Sequence, residues 1–260
     1  MKIATWNVNS VRTRIATLIK WLEEAKPDVV CMQEIKCQDE QFPYLEFEAL
    51  GYNCAVHGQK SYNGVAVLSK FEIEETLPGL PGDADDEQAR YLEVVLAGTH
   101  GPVRVASIYL PNGNPKDTEK FPYKLRWMER LRDHAAELLS YEEPLILAGD
   151  YNVIAQDDHC WDPAAWVDDA LFADETRARF AALHWLGLTN AWAVKDGRGH
   201  QYTFWDYQRG AWQKDHGIHI DHILLSAQAT DRLTGIEIAR KTRGMEKPSD
   251  HVPVIAELDL

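Results

Sequence analysis

Two patterns of hydrophobic and polar positions alternate along the 260 residues. Short, continuous apolar runs suit strands covered on both faces. They occur at 2–6 (KIATW), 29–32 (VVCM), 64–69 (GVAVLS), 103–108 and 145–148 (LILA), and 52–56, 90–96, 202–207, 218–226 and 252–258 also read as strands. Ile15, Leu18, Ile19 and Leu22 recur at helical spacing and predict a helix over 12–25, capped by Asn9 or Ser10. Leu125, Met128, Leu131, Ala135 and Leu138 share one face of a second helix over 121–140, and a shorter amphipathic helix over 177–186 closes at Gly187. The order strand, loop, helix, strand therefore appears twice, a pseudo-repeat of architecture with weak sequence identity between its halves. Residues 78–89 (PGLPGDADDEQA) form a loop. Segment 153–176 has two tryptophans and many acids but weak periodicity, and a stretch that long is usually functional or locally structured. No linker or compositional break divides the chain, so one domain, 1–260, is expected.

Polar residues gather where the apolar runs stop. LILA ends at Gly149, Asp150, Tyr151 and Asn152; the first strand ends at Asn7, the second at Gln33-Glu34, and 103–108 at Tyr109 before a Pro111-Asn112-Gly113 turn. Asp221 and the Asp250-His251 pair lie near strand starts, which antiparallel pairing would bring beside those ends. Each residue alone has a plain reading: Asp and Asn after Gly are ordinary turn residues, and Asn7 can cap a helix. Eight of them, from four separated regions, point to one site: Asn7, Glu34, Tyr109, Asp150, Asn152, Asp221, Asp250 and His251.

A net charge of −14 argues against a broad nucleic-acid-binding surface. It leaves room for a carboxylate cluster holding a metal and for local basic patches, namely Arg12 and Arg14, Lys116 to Arg126, and Arg240 to Lys247. Carboxylate and carboxamide oxygens without thiolates suit Mg²⁺ or Mn²⁺. No cationic side chain is expected in the cluster to substitute for the ion. Nothing resembles a Ser or Cys nucleophile elbow or a Walker phosphate loop, so metal-assisted phosphodiester hydrolysis is the reaction class that fits. The four cysteines lack zinc or redox spacing and indicate a reducing cytoplasm; no membrane span or signal peptide is expected.

Ten motifs carry a resemblance along nearly the whole chain: WNVNSVR (6–12), PDVVCMQEIK (27–36), LGYN (50–53), HGQKSYNGVAVLSK (57–70), YLPNG (109–113), KFPYK (120–124), LAGDYNV (147–153), FWDY (204–207), IDHILLS (220–226) and EKPSDHVPV (246–254). They resemble the exonuclease III family of abasic-site endonucleases, in the endonuclease/exonuclease/phosphatase superfamily. The resemblance implies an α/β (α+β) fold, a deoxyribonuclease-I-like, four-layer α/β/β/α sandwich of two mixed β-sheets. It implies a Mg²⁺-dependent DNA repair nuclease, with Mn²⁺ as the alternative ion. Such an enzyme cuts duplex DNA 5′ to abasic sites and trims 3′ ends as an exodeoxyribonuclease and 3′-phosphatase. Glu34 is the implied main metal ligand, with Asn7 and Asp250, and with Asp150, Asn152 and His251 also counted at the ion. Asp150 serves the attacking water and Asn152 orients it. His251, held by Asp221, and Tyr109 meet the phosphate. Asn112 and Lys124 are implied substrate contacts, and Phe204, Trp205, Ile218 and Ile220 line a pocket for a flipped-out abasic sugar with no room for a base. Ser10, where many relatives have Gly, and His219, where Arg is common, depart from the family pattern; segment 154–176 does not align with it. The partner is duplex DNA, with no membrane and no obligate protein partner. Two other readings are a nucleic-acid-binding regulator that has lost catalysis and a phosphodiesterase for another ester. The joint presence of Glu34, Tyr109, Asp150, Asn152, Asp221, Asp250 and His251 favours the nuclease.

Overall fold

The computed structural model describes all 260 residues. Its strands are β1 (Lys2–Asn7), β2 (Val29–Gln33), β3 (Asn53–His57), β4 (Val65–Ser69), β5 (Ile73–Pro78), β6 (Tyr91–Gly98), β7 (Gly101–Tyr109), β8 (Leu145–Asp150), β9 (Thr189–Asn190), β10 (Asp221–Leu225), β11 (Leu233–Ile238) and β12 (Val254–Leu258). The main helices are α1 (Ile15–Ala25), α2 (Lys120–Leu139) and α3 (Asp174–Trp185). One six-stranded sheet has the order β11-β12-β1-β2-β4-β3 and the other β5-β6-β7-β8-β10-β9. The two orders superpose term by term. β1 and β2 are parallel neighbours, as are β7 and β8, and the strands flanking each pair run antiparallel. The pseudo-repeat read from the sequence is thus a repeat of sheet topology.

Alternation along each strand builds four layers. Ile3, Val29, Cys31, Val65 and Val67 of the first sheet meet Leu92, Val94, Val105, Ile146 and Ala148 of the second in a common core. The intervening residues point outward. Ala4, Trp6, Val30 and Met32 pack under Leu18, Trp21 and Leu22 of α1. Ala106, Ile108, Leu145 and Leu147 pack under Trp127, Met128 and Leu131 of α2 and Phe180 and Leu183 of α3. This is the expected α/β/β/α sandwich of two mixed sheets.

Four expectations need correction. Residues 202–207 are not a strand: only Phe204 makes β-bridges, to Ile218 and His251. β10 starts at Asp221 and not at 218: Ile218 makes isolated bridges to Phe204 and Cys160 instead, and the Thr203 hydroxyl accepts from the backbone N–H groups of Ile220 and Asp221 where the ladder begins. α1 starts at Ile15 without a side-chain cap, while Asn9 and Ser10 sit at φ 44° and 86°. α3 starts three residues earlier than 177, with Asp174 and Glu175 in its first turn, where negative charge complements the helix dipole. Segment 153–176 contains two short 3₁₀ turns, and Ile154, Cys160 and Leu171 pin it to Ile218 and Ile220.

Candidate active site

The inward-facing series of residues changes character at one end of the sandwich. β1 reads Ile3, Thr5, Asn7; β7 reads Val103, Val105, Ser107, Tyr109; β8 reads Ile146, Ala148, Asp150; β10, running the other way, reads Leu225, Ile223, Asp221. Gln33 of β2 exchanges hydrogen bonds with Thr5 and donates to the Ser107 hydroxyl at 3.0 Å, so the polar layer begins as a closed network joining both sheets. One residue further on, the sheets open and the functional groups stand free of the core.

Register sets their spacing. Tyr109 pairs with Asp150 across the parallel β7–β8 ladder, and Asp150 pairs with Asp221 across the antiparallel β8–β10 ladder. Gly149 permits this approach, since a Cβ there would run into the Ile108 carbonyl. Just past the strand ends, Glu34 and Asn152 adopt φ of 51° and 48°, a left-handed backbone that is uncommon outside glycine and tends to cluster at functional sites.

Two linked groups result. In the first, His251 Nδ1 lies 2.9 Å from Asp221 Oδ2, and its Nε2 lies 3.7 Å from Asp150 Oδ2. All three residues are buried. Burial raises the Asp150 carboxyl well above the usual carboxylate range, and the Asp221 charge adds to this. Burial alone would lower His251, but the Asp221 and Asp150 carboxylates overcome it and hold the imidazolium. In the second group, Glu34 Oε1 accepts from Asn7 Nδ2 and from the Tyr109 hydroxyl, each at 2.9 Å. Asn7 Nδ2 also donates to Asp150 Oδ2 at 2.9 Å, so one carboxamide bridges the groups. Burial and the Glu34 and Asp150 charges push the Tyr109 phenol up, so it stays protonated. Glu34 lies below its usual value: burial opposes this, but the Lys36 ammonium 2.7 Å away and the Asn7 hydrogen bond prevail.

Comparison with known proteins agrees with this geometry. The pattern of the endonuclease/exonuclease/phosphatase family matches residues 4–251. The chain belongs to that family. It is 33% identical over 265 residues to exodeoxyribonuclease III of Haemophilus influenzae, covering 99% of each chain. The 3′ phosphatase NExo from Neisseria, solved with a product DNA hairpin, superposes with a TM-score of 0.96 at 35% identity over 100% of both chains. An AP endonuclease from Archaeoglobus fulgidus does so with a TM-score of 0.94 at 34% identity, again over 100% of both chains.

Several residues that the family resemblance implied are placed differently here. Lys124 is fully buried, and its Nζ donates to the Asn152 and Asn112 carbonyls at 2.6 and 3.1 Å; it faces no solvent and cannot meet a phosphate. Burial lowers its ammonium to about 7. Trp205 is also fully buried, packs edge-on against Trp212 and donates to Asp215, so it forms no pocket wall. Phe204 sits edge-on to His251 at 4.9 Å, with Ile218 and Ile220 buried behind it. Asn152 is committed at both ends, accepting from Asn112 Nδ2 and donating to the Leu110 carbonyl, and His251 as an imidazolium has no lone pair for an ion. Asp150, Asp221 and His251 nevertheless bring one ligand atom each within 4.8 Å of one another, a spacing that could hold a metal ion. Lys36 is a cation inside the cluster, where none was expected. It lies two residues beyond Glu34, so the sequence itself places a cation next to the carboxylate. Asn9, read as a helix cap, instead joins Lys36 to Asp250: its Oδ1 accepts from Lys36 and its Nδ2 donates to Asp250. Ser249 was missed as well; its hydroxyl donates to the Asn7 carbonyl at 2.7 Å and accepts from the His251 N–H, which locks the Asp250-His251 turn onto β1.

Proposed function

We propose that the chain is a metal-dependent DNA repair nuclease that hydrolyses the phosphodiester 5′ to abasic sites in duplex DNA and processes 3′ ends. We read residues 1–260 as one domain. The observation that carries the reading is a buried Asp150 carboxyl set between an Asp221-held imidazolium and a carboxamide that ties it to Glu34. The names of the relatives, exodeoxyribonuclease III, 3′ phosphatase and AP endonuclease, support the substrate class.

Asp150 accepts the proton of an attacking water. In the metal-free site burial raises its affinity for protons, the direction a general base needs. The Asn152 N–H donates to Asp150 Oδ1 at 2.9 Å and fixes the carboxylate plane. His251 and the Tyr109 hydroxyl place two donors where negative charge develops on the phosphoryl oxygens. Water oxygen bonds to phosphorus, the bond to the 3′ oxygen breaks, and the strand ends in a 3′-hydroxyl. The oxygen donors of Glu34, Asp250 and Asp150, with no thiolate among them, fit a hard cation, and we assign Mg²⁺, with Mn²⁺ as substitute. Held by these residues, a divalent ion would supply Lewis-acid polarisation of the scissile phosphodiester. Asn7 shapes this site as a hydrogen-bond bridge between Glu34 and Asp150.

Measuring kcat/KM on duplexes bearing one abasic site, a 3′-phosphate or a plain 3′-hydroxyl, beside a non-nucleotide phosphodiester, tests the assignment. Cleavage confined to the DNA substrates supports it; preference for the other ester overturns it. Glu34→Ala is expected to raise the Mg²⁺ concentration for half-maximal activity at least about 10-fold, and an unchanged titration removes Glu34 from the ligands. Lys124→Met is expected to lower kcat, because the Asn112 and Asn152 turns lose their shared anchor, while the slope of log Kd against log salt stays that of the parent. A slope smaller by roughly 0.9 would return Lys124 to the phosphate contacts.

A further inference from the structure

Beside the catalytic residues lies a groove that the site chemistry leaves unused. Three β-bridges run outward from the site, from His251 to Phe204, from Phe204 to Ile218 and from Ile218 to Cys160. At about 4.8 Å per step, these place the Cys160 segment roughly 14 Å from His251. The next residue, Trp161, donates its backbone N–H to the Gly217 carbonyl and lays its indole flat on His216, with centroids 3.8 Å apart and planes 5° from parallel. Trp161 is 37% exposed. Trp161, Trp166, Phe204 and His216 line a groove of about 580 Å³ together with Arg209, Lys214, Asp206 and Asp169, the last of which accepts from Asn114 Nδ2 and the Leu171 N–H.

A sugar-phosphate alone would call for cations along such a groove. Mixed signs around an aromatic floor suit a flat ring with both donors and acceptors on its edge. We propose that this groove is a subsite for an unpaired nucleobase of the cut strand, stacked on Trp161 with its flanking phosphate near Lys214 and Arg209. The expectation of a pocket with no room for a base thus applies only to the wall at Phe204. The groove continues past it. Stacking on an exposed aromatic is tolerant of base identity, so the subsite senses that a base is unpaired and not which base it is. Duplexes frayed beside the cut, as at a 3′ end, are the substrates it favours. The proposal rests on the nuclease reading above.

Two duplexes with the same scissile abasic site test it, identical except that one further unpaired nucleotide next to that site carries a base in one and a base-free linker in the other. The native chain is expected to favour the base-bearing duplex in kcat/KM. Trp161→Leu is expected to reduce that preference about 5- to 150-fold, the range for one lost stacking contact, whereas Trp161→Phe keeps most of it. A preference unchanged within two-fold in the leucine variant overturns the subsite. If that variant melts early, His216→Ala, which removes the support beneath the indole, provides the same comparison. Binding of a 2-aminopurine oligonucleotide in chelator separates the two readings. Fluorescence quenching that needs Trp161 supports the subsite even if no strand is cut, and equal quenching by Trp161→Leu contradicts it even if cleavage is normal.

Discussion

Replacing Asp150 by asparagine is expected to lower turnover of abasic-site DNA by at least roughly 10²–10⁴-fold, the usual contribution of a positioned general base. The change keeps the shape and the hydrogen-bonding length of the side chain. The single carboxamide oxygen can keep the Asn152 N–H, which leaves its NH2 facing the Asn7 Nδ2 donor, one local mismatch at an otherwise unchanged position. The protein should therefore fold and bind DNA, with the loss in kcat. Single-turnover cleavage, an independent binding measurement and a melting curve separate these effects. Cleavage within a few-fold of the parent would mean that the proton goes elsewhere, and an equal fall in binding would mean that Asp150 acts on the complex and not on the chemistry.

Acidification is expected to weaken the fold through a column of histidines unrelated to the chemistry. His219 stacks between His159 and His222, with centroids 4.8 and 4.9 Å apart. All three are buried, and the ring atoms His159 Nδ1 and His219 Nε2 have no hydrogen-bond partner. Burial lowers His159 to about 4 and His219 to about 3 and pushes His222 well down; Arg177 also lowers His159, His159 lowers His219, and both lower His222. The folded state thus refuses protons that the unfolded chain accepts below about pH 6.5, so stability falls as pH falls through that value. Between pH 7 and 5.5, three such groups contribute a loss of about 4 kcal/mol, large against a typical total of about 5–15 kcal/mol. Asp150 works the other way, because its raised affinity makes the folded state take up a proton over the same range. Denaturant titrations at both pH values, for the parent and for His222→Gln, isolate the column. The variant is expected to lose roughly 1 kcal/mol less than the parent over that interval, whatever its stability at pH 7. Identical pH dependence in the two would contradict the buried neutral column.

His219 was legible in the sequence only as a departure from a family pattern; that it packs between two other imidazoles depends on three separate segments meeting. The sheets themselves were read well where strands are buried on both faces, because β1, β2, β4, β7 and β8 are nearly continuous apolar runs. The outer strands β5 (IEETLP) and β11 (LTGIEI) lack that signature, since each is covered on one side at most. The change from apolar to polar along the inward positions, Ile146, Ala148, Asp150 on β8 and Ile3, Thr5, Asn7 on β1, was present in the sequence and predicts which end of the sandwich opens. Lys124 shows the opposite case. A lysine in a basic cluster reads as solvent-facing, and only the turns at Asn112 and Asn152 closing over it reveal a buried anchor.

The carboxylate and histidine edge formed by Glu34, Asp150 and His251 is expected to cut DNA with the help of a divalent ion. The most direct measurement is cleavage of a duplex with one synthetic abasic site, in Mg²⁺ and in excess chelator, with the product ends identified. A single cut on the 5′ side leaving a 3′-hydroxyl, abolished by chelator and restored by Mg²⁺ or Mn²⁺, is the predicted result. Undiminished cleavage in chelator, or an intact abasic strand in Mg²⁺, would contradict it.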